Sequence, residues 1–311
     1  DLNLIDSDIH NNFRFAIRLE QSDEIDIFNN NIYNNQSHGI YGTDSNCSIS
    51  NNSIYDNVGT GIYTYSYGSY LISNNVINNN ISHGIRLISQ STADIVNNAI
   101  YENSSYGICV EHGSSVDIRK NKIYNNVYYG IAFNDNSLAN IRDNIIYHNQ
   151  HYGIYVPNGN TANIYNTIFW ENSYNSIVFN GNGYIGYNCF SYNEAEGLGL
   201  PSAFGEVITV NANGDPADTW SNIFIDPMLT DIEGGDFTPL EGSPVIDAGS
   251  PDYLDPDGSI SDIGLIYFDQ GTTPPTINSI SADNTSGSFP LPVQFYSDFS
   301  GPVTSFEWDF G

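Results

Sequence analysis

The sequence is poor in basic residues, and all of them lie in its first half. Seven Lys and Arg stand against 36 Asp and Glu, which gives a formal net charge of −29, and no Lys or Arg follows Arg142. A surface of this sign repels phosphate backbones and anionic lipid headgroups. We therefore expect neither nucleic acid nor an anionic membrane as a partner.

Cysteine, methionine and long apolar runs are also scarce. The three cysteines, Cys47, Cys109 and Cys189, are far apart and form neither a disulfide framework nor a metal-binding pattern. No run of 18 apolar residues occurs, so no membrane-spanning segment is predicted. The chain has a single Met and begins inside a repeat, which leads us to expect part of a longer protein.

One phrase recurs along the first two thirds of the chain with a period of 22 or 23 residues. Its pattern is NxIYxNxxxGIxx, as in "NKIYNNVYYGIAF" at residues 121–133. A fixed period of this size indicates a stack of similar units that bury their apolar sides against one another. The isoleucines that follow the glycine position are Ile17, Ile40, Ile62, Ile85, Ile108, Ile131, Ile154 and Ile177, with Ala16 and Ser176 at that position in the first and last of these copies.

Each repeat contains three short apolar segments, centred in one copy on Ile141, Ile146 and Ile154. Apolar and polar residues alternate within them, which is typical of short strands and not of a helix. Both the leucine-rich repeat and the parallel β-helix have periods near this length. Leucine is scarce here and isoleucine marks three separate faces, so the pattern favours the parallel β-helix.

Two columns of asparagine accompany the isoleucines, with Asn121 and Asn126 as members in one repeat. Stacked coils bring equivalent side chains to about 4.8 Å, the spacing of paired strands. Each amide can then donate to the next one and satisfy the turn backbone. We predict two asparagine ladders with a structural role, in which case the Asn-x-Ser sequences at Asn80 and Asn103 are not glycosylation sites.

The tandem motif NxIYxNxxxGIxx resembles the right-handed parallel β-helix repeats of the pectin-lyase-like superfamily. The resemblance covers residues 1–193 and implies an all-β solenoid of about eight to nine coils of 22–23 residues each. Residues 194–270 are expected to form a C-terminal capping segment. Within it, "SPVIDAG" and "DPDGSISDIG" resemble the segment that closes many secreted bacterial β-helix proteins.

Residues 271–311 contain a linker followed by "PLPVQF" and "VTSFEWDFG". This order resembles the first half of a PKD-type domain, an immunoglobulin-like β-sandwich in which Trp308 would lie on a central strand. A complete sandwich needs about 80–100 residues, so an incomplete one is expected. The resemblance implies an extracellular setting, secreted or at the surface of a bacterial or archaeal cell.

Enzymes with this resemblance cleave or epimerise acidic polysaccharides from the outer face of one sheet, with a basic residue or converging carboxylates. Two groups of residues are candidates for such chemistry. Glu111, His112 and Asp135 follow the third strand in adjacent coils, and Asp94 and Asp117 share one outward column. Solvated, compensating surface charges are the simpler interpretation of both groups.

A calcium site is a further hypothesis for the capping segment. Asp255, Asp257 and Asp262 surround a glycine turn and offer the oxygen ligands that calcium prefers. Their spacing does not match the twelve-residue calcium loop. A turn that carries solvated acids is the alternative.

The strongest regularity outside the core is a set of aromatic stripes that point outward. Stacked rings stabilise one another by about 0.5–1.5 kcal/mol per pair, which explains a stripe structurally. A stripe of rings and hydroxyls flanked by asparagine would also suit a long sugar chain. The candidate ligand-binding residues are Tyr33, Tyr55, Tyr101, Tyr124, Tyr147 and Trp170 in one stripe and Tyr106, Tyr129 and Tyr152 in another.

Two functions of different class follow from these observations. The first is a noncatalytic module, expected to be monomeric, that binds a neutral glycan or acts as a rigid adhesive scaffold. The second is a polysaccharide lyase or glycoside hydrolase of the pectin-lyase-like superfamily. The fold is compatible with both, so the sequence leaves open whether the protein is an enzyme.

Overall fold

The computed structural model describes residues 2–193, 195–270, 276–282 and 295–300. Regular structure in these ranges consists of strands, most of them in three parallel sheets of nine. Sheet 1 contains β1 (Leu2–Ile5), β4 (Ile25–Phe28), β7 (Asn46–Ser50), β10 (Ser69–Ser73), β13 (Thr92–Val96), β16 (Ser115–Arg119), β19 (Leu138–Arg142), β22 (Thr161–Tyr165) and β25 (Asn182–Gly186). Sheet 2 contains β2 (Asp8–His10), β5 (Asn31–Tyr33), β8 (Ser53–Tyr55), β11 (Val76–Asn78), β14 (Ala99–Tyr101), β17 (Lys122–Tyr124), β20 (Ile145–Tyr147), β23 (Ile168–Trp170) and β26 (Cys189–Ser191). Sheet 3 contains β3 (Ile17–Glu20), β6 (Ile40–Thr43), β9 (Ile62–Tyr65), β12 (Ile85–Ile88), β15 (Ile108–Val110), β18 (Ile131–Phe133), β21 (Ile154–Val156), β24 (Asn175–Phe179) and β27 (Ala195–Leu198).

Each coil contributes one strand to each sheet, and each strand pairs in parallel with its equivalents in the adjacent coils. Ile118 pairs with Ile141 in sheet 1, and Ile123 pairs with Ile146 in sheet 2. These side chains point into the solenoid and are fully buried. The three isoleucine columns thus form the core, and the prediction of a parallel β-helix is confirmed.

The two asparagine columns form hydrogen-bonded ladders inside the corners on either side of sheet 2. The Asn103 side-chain amide donates to Oδ1 of Asn126 over 3.1 Å, and the Asn103 backbone N–H donates to the same atom over 3.2 Å. Nδ2 of Asn126 in turn donates to the Ile100 carbonyl and to Oδ1 of Asn149. These three asparagines are fully buried. The ladder prediction is confirmed, and Asn80 and Asn103 are both inaccessible to glycosylation.

The glycine of the repeat is required by the close approach of adjacent coils. A Cβ atom on Gly130 would lie 2.7 Å from the Gly153 carbonyl oxygen and 2.9 Å from Cγ2 of Ile146. Real Cβ atoms do not approach backbone this closely. A side chain at Gly130 would therefore force the adjacent coils apart, whereas Ala16 and Ser176 occupy this column in the first and last of its eight copies.

The corner after each sheet 2 strand has a left-handed backbone. The φ angles there are 53° at Asn125, 51° at His148 and 44° at Glu171. Asparagine adopts this region most readily among residues with a side chain, which explains its frequency in the column. His148 and Glu171 occupy the same corner in adjacent coils, so their side chains lie one above the other.

Residues 222–224, which follow the last coil in the sequence, repeat the contacts of one coil corner. Asn188 donates to Oδ1 of Asn222 over 3.0 Å, so Asn222 adds a rung to one asparagine ladder. Ile223 forms a parallel bridge with Cys189, and the ring of Phe224 stacks on Phe190. These contacts place residues 222–224 against the last strand of sheet 2.

Residues 229–263 then cover part of the outer face of sheet 2. They include two short antiparallel strands, β30 (Leu229–Asp231) and β31 (Asp236–Pro239). The outward side chains of Ile145, Ile168 and Cys189 are fully buried in a second core with Phe237 and Val245. The outer face of this sheet is therefore apolar at one end, where the chain folds back onto it.

Two further pairs of strands complete the regular structure of the described residues. Strands β28 (Thr209–Val210) and β29 (Pro216–Ala217) pair in antiparallel fashion, as do β32 (Thr276–Ala282) and β33 (Phe295–Ser300). Most of the predicted PKD-type sandwich lies outside the described residues, and so does Trp308, which was predicted to lie on its central strand. None of the described residues forms a membrane-spanning helix.

Candidate functional site

The outward aromatic rings stack on one another along the helix axis. On sheet 2, the ring centroids of Tyr101 and Tyr124 are 4.7 Å apart, and those of Tyr124 and Tyr147 are 4.6 Å apart. At the corner before sheet 3, the rings of Tyr106 and Tyr129 are 5.0 Å apart and inclined by only 3°. The ring faces are thus occupied by their neighbours, and a sugar ring cannot stack on them. Ring edges and hydroxyl groups remain as the exposed features.

The sheet 2 stripe, which consists of the first six predicted ligand-binding aromatics, is covered at one end. Tyr147 is only 4% exposed, and the ring of Phe237 lies 5.5 Å from it at 61°. Trp170 packs edge-on against Tyr192 at 4.7 Å. Tyr33 and Tyr55, at the other end, remain partly exposed and stack at 5.0 Å. Tyr147 is therefore not available to a ligand in this arrangement.

The sheet 3 stripe consists of Tyr106, Tyr129, Tyr152 and the adjacent Tyr155, and it is open to solvent. The Tyr129 ring lies 4.9 Å from that of Tyr152 and 5.1 Å from that of Tyr155. Among the described residues, the hydroxyls of all four have no hydrogen-bonding partner. Partial burial raises the pKa of Tyr129 to about 12. The Tyr129 hydroxyl therefore stays protonated near neutral pH, and the four hydroxyls present donors and acceptors in a row.

An ion pair stands beside this stripe on the outer face of sheet 3. Nε of Arg86 donates to Oε2 of Glu111 over 2.7 Å, and a second guanidinium nitrogen lies equally close. Nδ2 of Asn134 donates to the other carboxylate oxygen over 3.1 Å. The guanidinium carbon is 5.6 Å from the ring centroid of Tyr63. The Arg86 charge is thus compensated by Glu111.

Two histidines in the same region accept hydrogen bonds from backbone N–H groups. Nδ1 of His83 accepts a hydrogen bond from the Tyr106 backbone N–H at 3.3 Å, and Nδ1 of His38 accepts one from Thr60 at 2.8 Å. Burial, followed by the nearby charge of Arg86, lowers the pKa of His83 to about 4. Its imidazole is therefore neutral at physiological pH. With Nδ1 as acceptor, the proton resides on Nε2.

The predicted catalytic residues Glu111, His112 and Asp135 do not form one cluster. Glu111 is committed to Arg86 and Asn134, while His112 pairs separately with Asp135 at 3.3 Å. The side chains of that second pair are 56% and 60% exposed. An exposed pair of this kind contributes little to stability, and its surroundings do not exclude water as a closed active site does.

Asp94 and Asp117 lie side by side in sheet 1, as their shared column predicts. Arg119 stands between them, 2.8 Å from the Asp117 carboxylate and 3.6 Å from that of Asp94. The two aspartates and Asn140 line a shallow groove of about 450 Å³ on the outer face of sheet 1. The guanidinium compensates both carboxylates, and no histidine, lysine or tyrosine hydroxyl in this groove forms an acid/base pair with them.

The three aspartates that were predicted to bind calcium accept hydrogen bonds from backbone N–H groups of the same segment. Asp262 accepts hydrogen bonds from the backbone N–H groups of Asp247 and Phe268 at 2.8 and 2.6 Å. Asp255 accepts one from Asp262 at 2.8 Å, and Asp257 accepts one from the Ser259 backbone N–H at 3.0 Å. Burial raises the pKa of Asp262 to about 7. In the described part of the chain, the metal-ligating side chains that converge in a group of three lie elsewhere, at His148.

The model of the right handed beta helix region family matches residues 1–140 and, overlapping them, residues 41–194. The chain belongs to this right-handed β-helix family. The matched range is the range in which the three parallel sheets are stacked. A comparison with curated protein sequences gives no match.

Solved structures similar to this β-helix include pectate lyase Pel9A, with a TM-score of 0.61, 14% identity, and coverage of 84% of this chain and 69% of that one. The periplasmic alginate epimerase AlgG gives a TM-score of 0.48 at 18% identity, with coverage of 58% and 48%. The A-module of the Azotobacter vinelandii mannuronan C-5 epimerase AlgE6 gives 0.39 at 14% identity, with coverage of 57% and 60%. The β-helix thus spans about half the length of AlgG, and similarity at these identities concerns the fold alone.

Proposed function

We propose that this β-helix is a noncatalytic module that binds a neutral glycan along the sheet 3 stripe. The observation that carries the proposal is the row of hydroxyls on Tyr106, Tyr129, Tyr152 and Tyr155, which have no partner among the described residues. Equivalent groups recur at about 4.8 Å from coil to coil. Such a row can exchange hydrogen bonds with the hydroxyls of a long sugar chain laid along the axis.

The charge distribution favours a neutral ligand over a uronate polymer. The chain carries a net charge of −29, and Arg86, the cation beside the stripe, is already neutralised by Glu111. A polyanion would meet repulsion with no free cation in the stripe to offset it. Neutral sugars encounter no such penalty, and binding through hydroxyls and ring edges does not require the occupied ring faces.

The remaining features of the proposal concern the setting of the module. An acidic chain with a tyrosine-rich outer face fits a protein that is secreted or held at a bacterial or archaeal cell surface, and we expect a monomer. Residues 194–270 as a cap and residues 271–311 as the start of a PKD-type domain suit that setting. Calcium binding at Asp255, Asp257 and Asp262 stays a prediction, which a calcium titration of the wild-type chain and of Asp257→Asn would test.

A polysaccharide lyase or glycoside hydrolase is the second candidate, and one cluster favours it. Arg86, Glu111, the neutral imidazole of His83 and the hydroxyl of Tyr106 occupy neighbouring coils of one outer face. A guanidinium beside groups that can exchange protons is the kind of arrangement that proton abstraction next to a carboxylate needs. Here the guanidinium would first have to leave Glu111.

One screen separates the two functions. The chain is incubated with neutral polysaccharides, such as xylan and galactomannan, and with the acidic polygalacturonate and alginate. Retention in affinity electrophoresis is measured beside the release of reducing ends and unsaturated products. We expect retention by a neutral polymer and no products. Products from any polymer would contradict the noncatalytic proposal, and their loss in Glu111→Gln would place the reaction at the Arg86 cluster.

A further inference from the structure

Three side chains with metal-binding atoms converge where the C-terminal segment meets the corner after sheet 2. Nε2 of His148 lies 3.1 Å from Oε2 of Glu171 and 3.5 Å from Oε1 of Glu233. All three ligand atoms lie within 4.8 Å of one another. His148 and Glu171 come from adjacent coils, whereas Glu233 comes from the turn between β30 and β31.

We propose that His148, Glu171 and Glu233 bind a divalent transition-metal ion of the zinc class. Zinc takes imidazole nitrogen and carboxylate oxygen at roughly 2.0–2.2 Å, which sets neighbouring ligand atoms of a tetrahedral site about 3.4 Å apart. The two distances from Nε2 bracket that value. One nitrogen and two oxygens suit zinc better than calcium or magnesium, which prefer oxygen ligands alone.

The charges around the site support a cation. Two carboxylates approach each other in a chain of net charge −29, and no Lys or Arg of the described residues forms an ion pair with Glu171 or Glu233. Lys122, which reaches this turn, donates instead to the Gly235 carbonyl and lies over the Phe237 ring. Lys122 therefore does not neutralise Glu171 or Glu233. A bound dication would offset the repulsion between these two carboxylates.

The site would fasten one part of the molecule to another. Two ligands lie on rigid corners of the solenoid, and the third lies four residues before Phe237, which covers Tyr147. An ion bound by all three holds the β30–β31 turn against the coils. Zinc would therefore stabilise the covered state of the sheet 2 stripe, independently of glycan binding on sheet 3.

The test is isothermal titration of zinc chloride into the untagged, chelator-treated chain at pH 7.5. We expect one saturable site and a rise in the thermal midpoint on zinc addition. Glu233→Gln changes an exposed turn residue that the fold does not need, and it should weaken zinc binding about tenfold or more, as should His148→Gln. Glu102→Gln is the matched control, because Glu102 occupies the corner column of His148 and Glu171, two coils before His148, and this variant should leave binding unchanged.

Three results would overturn the proposal. The first is the absence of a saturable site in the wild-type chain. The second is equal weakening by Glu102→Gln and Glu233→Gln, which would indicate diffuse attraction to an acidic surface. The third is stabilisation that depends on His148 and appears only on acidification without any response to zinc, since a protonated imidazole would then be the cation between the two carboxylates.

Discussion

The ring of Phe237 lies edge-on against the ring of Tyr147, with centroids 5.5 Å apart. Because of this contact, the sheet 2 stripe is partly covered by the protein itself, whereas the sheet 3 stripe is open. Tyr147 belongs to a stack that continues through Tyr124 to Tyr101. The covered end of that stack is part of the protein's second core, so its aromatic residues serve packing there.

Replacing Phe237 by Ala should release the C-terminal segment. The side chain is 1% exposed, and Phe→Ala changes at such sites cost about 3–5 kcal/mol. We expect a loss of that size in the free energy of unfolding of this segment, measured by denaturant titration with hydrogen exchange at the Leu240 and Ile263 amides, which are bonded within the segment. Phe13→Ala, at a position that is 94% exposed, is the control and should change stability by less than about 0.5 kcal/mol. Equal behaviour of the two variants would mean that the contact contributes nothing.

Removing one rung of the ladder should destabilise the solenoid more than removing an exposed amide. In Asn126→Ala, the backbone N–H and Nδ2 of Asn103 lose their common acceptor while buried. Each unsatisfied buried group costs about 1–3 kcal/mol, so a loss of about 3 kcal/mol or more is expected in urea unfolding. Asn140→Ala in sheet 1 removes an exposed amide and should cost less than about 0.5 kcal/mol. A mild effect of Asn126→Ala would show that the ladder is dispensable.

His83 should make the stability of the fold depend on acid pH. Its pKa is lowered to about 4 by burial, so the unfolded chain takes up this proton first as the pH falls below about 6.5. The contribution of the neutral imidazole is complete above that pH and is lost progressively between about 6.5 and 4, up to about 3 kcal/mol in total.

The comparison that isolates this effect is His83→Tyr, because Tyr106, Tyr129 and Tyr152 show that the column accepts tyrosine. As the pH falls through this window, the wild type should lose unfolding free energy relative to the variant, because only the wild type contains His83. The NMR titration of the imidazole should also show it neutral at pH 5. A difference that does not vary with pH would contradict the assigned burial of His83.

Most of the solenoid could be predicted because its interactions repeat. Ile123 and Asn126 each contact their own copy in the adjacent coil, so a period in the sequence is also a contact in space. The same logic fails for the C-terminal segment. Nothing periodic marks Asn222 as another rung of the ladder or Phe237 as the cover of Tyr147, since both contacts join a repeated residue to a residue without a counterpart.

The candidate sites show the same division. The stripes were predictable as columns, but the orientation of their rings was not, because a column does not reveal whether a ring turns its face or its edge outward. The pairing of Arg86 with Glu111 crosses from one coil to the next with an offset of two positions, so a comparison within columns misses it. The convergence on His148 requires Glu233 from the aperiodic tail and had no signal in the repeat.

The most direct test of the glycan-binding account compares hydroxyl-deleted forms of the two stripes. The double variant Tyr129→Phe, Tyr152→Phe keeps the ring stack and removes two hydroxyls from sheet 3, and Tyr33→Phe, Tyr55→Phe does the same at the open end of sheet 2. At about 0.5–1.5 kcal/mol per hydrogen bond, the sheet 3 variant should bind the best-retained neutral polysaccharide about tenfold more weakly than wild type. The sheet 2 variant should bind it equally well. Unchanged affinity of the sheet 3 variant, or a loss confined to the sheet 2 variant, would contradict the account.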